Sequence, residues 1–516
     1  MFLFGGTQKY WSATPNGKPI PLLEENVLNT RELDSLEINA YNSVVLSSFY
    51  YLNAYKKAWL KEAPRKEILL ALSKAHEEGL NPEDYAVTRL KNFEDNFDAL
   101  TTAEKNTYDI LFTHHLQKYL AHLSNGKLNP NKLYSNWEIK ENEIDLNATL
   151  MDLKKGEFVT EKIECLKPDH IVYKKLKKAL KLVEALADES FENIHITDPI
   201  NPDTTDPLLL EIKKRLLYWG DLKKKEKPTP LYDPETVKAV QCFQKRHGLA
   251  PDGIIGKETV AALNFSKQER KEQIIANLER WKWYPKNMGN EYVIINIPDY
   301  QLHLIKGKDT LRSHKVIVGR PKRPTPVLSS KLTQVIFNPT WTVPPTILRE
   351  DLIPEVRKNR QYLAKLNIII YDKNGNRVPL QNWTISNASE YKYVQKPSVN
   401  NSLGVVKLNF PNRFSVYLHD TNHRDFFKKT NRSLSSGCVR LENPLALTRY
   451  LLNDSLKWNS TKIDEVLKTS RTTYVKINKE VYFHLLYWTA WSTKNKLVFR
   501  TDIYHLDKDL YALLRN

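Results

Sequence analysis

Cys438 sits in a stretch whose composition suits chemistry, Ser435-Ser436-Gly437-Cys438-Val439-Arg440. Small residues ahead of a thiol let the backbone turn sharply and bring N–H groups close to a substrate oxygen. Asn443-Pro444 starts a helix shortly afterwards, so the thiol is expected in a loop that leads into a helix. Arg440 adds positive charge, which is expected to favour thiolate. His419 lies 19 residues earlier, at the end of the apolar segment Phe414-Ser415-Val416-Tyr417-Leu418. A base at a strand end can reach a thiol delivered by a loop, and that pairing is the minimum for an activated nucleophile. A lone cysteine is more often a buried structural residue, and a lone strand-end histidine an ordinary one; it is their occurrence together that points to catalysis. Asp420 follows His419 directly, but neighbours on a strand point to opposite faces, so a backbone carbonyl is the expected orienting partner of the imidazole. His423, in the loop beyond, is a second candidate base.

Three kinds of segment must position these residues. The first 200 or so residues read as helical, with apolar residues at helical spacing over Tyr41 to Glu62, Arg65 to Gly79, Tyr108 to Leu123 and Ile171 to Ala187. Gly79 is placed as a C-terminal cap, and Asn81-Pro82 restarts a helix. A Pro/Asp/Thr linker from Ile200 to Pro207 precedes a small three-helix unit, in which Asp233-Pro234 opens one helix and Asp252-Gly253 and Gly256 mark tight turns. From Glu291 the period changes to that of strands: Glu291 to Ile297, Gln301 to Lys306, His314 to Val318, Thr333 to Asn338 and Arg413 to His419. Strands return in the tail at Thr473 to Ile477, Val481 to Trp491 and Leu497 to Tyr504. The helical stretch Leu348 to Leu366 interrupts the β region and suggests an inserted subdomain.

Composition narrows the function. A chain of 516 residues exceeds what one core accommodates, so several domains are expected. The net charge of +18 favours a polyanionic neighbour, but the basic residues are spread along the chain; the densest cluster, Lys223 to Lys227, reads as a solvated linker. No aromatic-basic motif of an RNA-recognition sheet is present, which argues against nucleic acid. Three cysteines, Cys165, Cys242 and Cys438, are too few for a disulfide framework. No Cys or His cluster has zinc spacing, His114, His115 and His122 included, and no cofactor or metal is implied. No run approaches the roughly 20 apolar residues of a membrane span. Met1 to Gly5 is too short for a signal-peptide core, so an export segment or membrane anchor, if used, is expected to be missing from this chain.

At Tyr417-Leu418-His419-Asp420-Thr421 and Ser435-Ser436-Gly437-Cys438-Val439-Arg440-Leu441 the sequence resembles the L,D-transpeptidases of the YkuD fold, whose pattern is a His followed, after a loop, by Ser-x-Gly-Cys-[Ile/Val]-Arg. Asp420 departs from the Gly of many members, and Ser436 from their His or Asn; both look like the larger YcbB-type subgroup. Phe337 to Ile347 resembles the start of that subgroup's substrate-capping insertion, and Asn401-Ser402-Leu403-Gly404 its end. Asp233 to Leu263 looks like a helical peptidoglycan-binding module. Gly79 to Tyr85 and Gly126 to Pro130 are similar to the subgroup's scaffold domain. The expected fold is therefore multidomain α+β: an extension over 1–30, a helical scaffold over 31–204, a three-helix peptidoglycan-binding module over 205–266, a linker over 267–289, and a mainly-β YkuD-type catalytic domain over 290–516 with a capping insertion at about 341–402.

The resemblance implies that Cys438 attacks the carbonyl between the third residue and the terminal D-alanine of a stem tetrapeptide. D-alanine would leave, and an amine of a second stem would resolve the thioester, crosslinking third residues. His419 would shuttle the proton, and N–H groups near Gly437 and Cys438, with Ser436 shaping the loop, would hold the oxyanion. Arg440 would hold the loop or a substrate carboxylate. Tyr417, Asp420, Ser435 and Trp341 are candidates for substrate binding, though Tyr417 and Trp341 would equally suit a core. The implied location is the cell envelope or periplasm, with carbapenem-type β-lactams as inhibitors. Two alternatives remain: an L,D-carboxypeptidase or cysteine endopeptidase that passes the same thioester to water, and a non-catalytic wall-binding scaffold.

Overall fold

A computed structural model describes residues 32–223, 229–452 and 457–516. The extension over 1–30 and most of the Lys223 to Lys227 cluster lie outside the described residues.

The N-terminal helices gather around the long helix Thr102–Asn125. Its start is closed by a capping box between Thr101 and Glu104, and its end by Gly126 at φ +78°. Phe112, Leu116, Leu120 and Leu123 of this helix are fully buried against Leu46, Phe49, Ile68 and Leu72. The helix expected over Tyr41 to Glu62 stops early, as Val44–Leu52, and the one expected over Arg65 to Gly79 is Glu62–Ser73 followed by a 3-10 turn, Ala75–Glu78. Buried Asp109 explains the break: its carboxylate accepts the backbone N–H groups of Ala58 (2.9 Å) and Trp59 (2.8 Å) and the Tyr50 hydroxyl (2.6 Å), and so holds the connecting turn. Ala54 and Tyr55 adopt positive φ within it. Gly79 at φ +74° and the Asn81 cap ahead of Pro82 form the next turn. The short strand β1 (Trp137–Glu138) leaves this region and joins the main sheet.

Helices Leu208–Tyr218, Pro234–Arg246 and Lys257–Leu263 enclose a small separate core of Leu209, Leu216, Val240, Phe243 and Leu263. The segment that follows corrects an expectation. Residues 267–289 contain no free-running linker; Lys267–Lys282 is a helix, capped by Ser266 and Glu269, and it lies in the largest hydrophobic core. Its charged composition conceals its burial because the charges are matched internally. Arg280 pairs with Asp507 at 3.0 Å, Glu279 accepts the N–H of Leu128 at 2.9 Å, and Lys282 donates to the Glu78 carbonyl at 2.9 Å.

The remaining strands are β2 (Glu291–Asn296), β3 (Gln301–Lys306), β4 (Asp309–Gly319), β5 (Val327–Lys331), β6 (Gln334–Phe337), β7 (Trp341–Thr342), β8 (Ile368–Tyr371), β9 (Lys392–Gln395), β10 (Val406–Asn409), β11 (Leu418–His419), β12 (Ser433–Ser435), β13 (Val439–Leu441), β14 (Thr473–Lys476), β15 (Tyr482–Leu486), β16 (Ala490–Thr493) and β17 (Lys496–Phe499). The main sheet has the order β1-β5-β15-β2-β3-β4-β13-β11-β10-β6-β14, with β12 added beside β4. The strand expected over Arg413 to His419 shrinks to its last two residues. Asn412 takes the ladder's place by accepting the N–H groups of Phe414 and Val416, both at 3.1 Å, while Ser415 turns to φ +56°. After the strands of the tail comes the helix Asp507–Arg515. Between β6 and β10, strands β7, β9 and β8 form a three-stranded sheet. With the short helices of 345–365 it encloses its own core of Leu352, Leu363, Ile370, Trp383 and Tyr393. The architecture is multidomain α+β.

Candidate active site

Strand register assembles the site. Lys407 on β10 lies opposite His419 on β11, and His419 lies beside Arg440 on β13. Ile336 on β6 and Ile317 on β4 continue the same row on either side. Residues directly opposite one another share a face, as do residues two apart on a strand. Lys407, His419 and Arg440 therefore share a face with Tyr417 and Cys438, one step back along their strands. The Val439 N–H donates to the Tyr417 carbonyl at 3.1 Å and locks the two strand starts together.

The Cys438 loop is held from three sides. Gly437 turns at φ +112°, a conformation that side-chain-bearing residues rarely adopt. The Ser435 hydroxyl donates to the Cys438 carbonyl at 2.6 Å and accepts the Gly437 N–H at 3.2 Å. The Thr325 hydroxyl donates to the Gly437 carbonyl at 2.8 Å and accepts the Gly319 N–H at 2.8 Å. Tyr504, near the C-terminus, fixes Thr325 in turn by accepting its N–H at 3.0 Å and donating to the Gly319 carbonyl at 2.7 Å. Ser436 accepts from Arg323 at 2.9 Å, and Arg323 reaches Asp351 (2.6 Å) and Glu350 (2.5 Å) in the inserted segment.

His419 is buried, and its Nδ1 donates to the Asp420 carbonyl at 2.5 Å. Because a carbonyl can only accept, Nδ1 carries the proton and Nε2 keeps its lone pair. The expected backbone partner is thus the one observed. Burial, followed by the charges of Arg440 and Lys407, depresses the imidazole to a pKa of about 3. The thiol departs from expectation. Arg440 does act to favour thiolate, but burial outweighs it together with Tyr417 and Lys407, and the Cys438 pKa is raised. At rest both members of the pair are neutral.

Tyr417 faces the Cys438 thiol and the Trp341 indole, its ring lies 5.5 Å from that of His419, and the Lys407 ammonium sits 3.8 Å from its centroid. Trp341 starts the inserted segment and is buried in that segment's core, so it meets the site through Tyr417. The Ser435 hydroxyl and one carboxylate oxygen of Asp420 are engaged in contacts within the protein. Asp420 accepts from the Val405 N–H at 3.0 Å and from Arg424 at 3.1 Å, and a Cβ on Gly404 would fall 2.3 Å from its carboxylate. His423 is exposed and stacks on Phe426 at 5.1 Å. Cys165 and Cys242 are exposed free thiols.

Lys407, Arg323, Thr325 and Tyr504 were not singled out from the sequence. Lys407 left one signal, a lone cation between the buried Val406 and Leu408 ahead of the histidine strand. A cavity of about 590 Å³ lies elsewhere, between the three-helix unit and the sheet, lined by Phe265, Arg270, Tyr300, Phe499 and His505; it contains neither Cys438 nor His419.

Three segments of the chain match known families. Residues 290–467 match the family described as L,D-transpeptidase catalytic domain, residues 45–180 a scaffold domain, and residues 205–263 a "Putative peptidoglycan binding domain". A Haemophilus influenzae protein named "Putative L,D-transpeptidase" is 34% identical over 270 residues, covering 51% of this chain and 54% of that protein. The chain thus spans about half the length of this curated relative. Solved L,D-transpeptidase structures from Xylanimonas cellulosilytica (15% identity, 57% of this chain and 99% of that one, TM-score 0.19) and Stackebrandtia nassauensis (13%, 51% and 91%, 0.20) also match, at scores too low to carry an argument. Residues 290–467 thus form a catalytic domain of the L,D-transpeptidase family with the YkuD fold. The chain joins the scaffold-domain and peptidoglycan-binding-domain matches to this catalytic domain in that order along the sequence. Among the described residues no helix is long and apolar enough to cross a membrane.

Proposed function

We propose that the protein crosslinks peptidoglycan in the cell envelope, in the periplasm, by L,D-transpeptidation through Cys438. The observation that carries this reading is the shared sheet face, on which an imidazole with a free Nε2 lies in the strand beside the one that Cys438 enters. As the donor tetrapeptide seats, His419 Nε2 takes the thiol proton and the sulfur attacks the carbonyl of the third residue. The Gly437 N–H is already given to Ser435, so the Cys438 N–H is the loop donor assigned to the oxyanion. Collapse of the tetrahedral intermediate breaks the peptide bond, His419 returns the proton to the departing D-alanine amine, and a thioester remains. An acceptor-stem amine then attacks, loses its proton to His419, and displaces the thiolate. The depressed imidazole returns its proton readily to the leaving amine, whereas taking the thiol proton runs against that depression, since a general base works best with a pKa near the working pH.

The test is mass spectrometry of the intact protein and of muropeptides after incubation with purified tetrapeptides. Wild type should release D-alanine, pass through an acyl adduct and yield crosslinks between third residues; a carbapenem should acylate it. Cys438→Ala should do none of these, and an adduct of equal mass on that variant would remove Cys438 from the role. Release without crosslinks would instead identify water as the acceptor.

A further inference from the structure

We propose that Lys407 and Arg440 form an anion subsite on either side of His419, which takes the free carboxylate of the residue about to leave. This rests on the proposed acyl transfer and specifies which peptides undergo it. Register places one cation on each strand neighbouring His419, in one row and on one face.

Nearby cations have carboxylate partners: Arg320 and Arg323 pair with Asp351, and Arg424 with Asp420. Among the described residues neither Lys407 nor Arg440 has one. Lys407 rests on the Tyr417 ring, a weaker partner than a carboxylate, and Arg440 Nε is buried without a hydrogen-bond acceptor. Half-buried charge without a counter-ion is costly, and a site that holds two such charges draws an anion. Glu442, two residues beyond Arg440, is engaged by Lys315, and Asp420, beside His419, by Val405 and Arg424, so neither pairs with the two cations.

The chemistry of the leaving group supplies the anion. The departing amine must lie at His419 to collect its proton, and in a terminal α-amino acid the carboxylate is two bonds from that nitrogen. An internal peptide bond would present a neutral amide there and leave both cations unmatched. The subsite thus selects the end of a stem. A bound carboxylate also offsets the two positive charges that press on His419, which eases formation of the imidazolium when the thiol gives up its proton.

The test uses the full chain and alkylation of Cys438 by iodoacetamide, in the presence of N-acetyl-D-alanine or its C-terminal amide. The free acid should protect the thiol at concentrations about ten- to a hundredfold lower than the amide, the range for a hydrogen bond to a charged group. Lys407→Met and Arg440→Gln should each erase most of that preference, and Lys407→Arg should retain it. Equal protection by acid and amide, protection by neither, or a preference that survives Lys407→Met would overturn the subsite. D-alanine release from a tetrapeptide is scored separately on the same preparation. Selective protection without release would keep the subsite and reject the acyl-transfer reading.

Discussion

The resting neutrality of the Cys438–His419 pair has a direct kinetic consequence. The thiol is pushed above its ordinary value of 9.0 by burial, so at pH 7 less than about 1% of Cys438 is thiolate. Iodoacetamide reacts with the thiolate, so alkylation of Cys438 without substrate should be slow at pH 7 and rise about tenfold per pH unit to beyond pH 9. Cys165 and Cys242 are exposed and should label first. His419→Ala should change this rate little, because the imidazole is itself neutral and holds no thiolate in place. Tyr417→Phe removes a polar contact that favours thiolate and should slow alkylation further. The assay is peptide mapping of all three cysteines by mass spectrometry across a pH series. A Cys438 that labels first, at a rate flat between pH 6 and 8 and abolished by His419→Ala, would mean a resting thiolate–imidazolium pair and would refute the reasoning.

Turnover should behave differently from resting reactivity: His419→Ala should lower D-alanine release by roughly two to four powers of ten, the range of general acid–base catalysis, while His423→Ala, in an exposed stacked side chain, should be far milder. The reverse ranking would transfer the base to His423. Gly437→Ala forces a side chain into φ +112°, a strain of about 1–3 kcal/mol concentrated beside the nucleophile, and should reduce acylation much more than it lowers the melting temperature. Equal acylation rates would show the turn to be dispensable. Stability should fall in acid: His419 and His122 are held neutral at pKa values of about 3, and His170 and His484 at about 4, whereas the unfolded chain protonates them below about 6.5. The unfolded state then binds more protons, so stability present above pH 6.5 is lost as pH falls, by about 1.4 kcal/mol per such histidine at pH 5.5. Denaturant midpoints at pH 7.5 and 5.5 check the sign, and an unchanged midpoint would contradict it.

What could be read from the residues was what the backbone decides locally. Gly79, Asn81-Pro82 and Asp233-Pro234 mark helix ends because capping and φ preference act within one turn. Ser435 to Arg440 announces a strained loop around a thiol, and His419 a base at a strand end, because both depend on neighbouring residue types. Three things were settled only by tertiary structure. Lys407 became a neighbour of His419 through the register between β10 and β11, and register is fixed by distant pairing and burial on one face. Helix Lys267–Lys282 became central because Asp507 and the Glu78 carbonyl, each some 200 residues away along the chain, satisfy charges that otherwise advertise a solvated linker. The protonation state of Cys438 was misjudged from Arg440 alone because a charge in the motif is visible in sequence, whereas the desolvation that outweighs it exists only once the surrounding strands have closed.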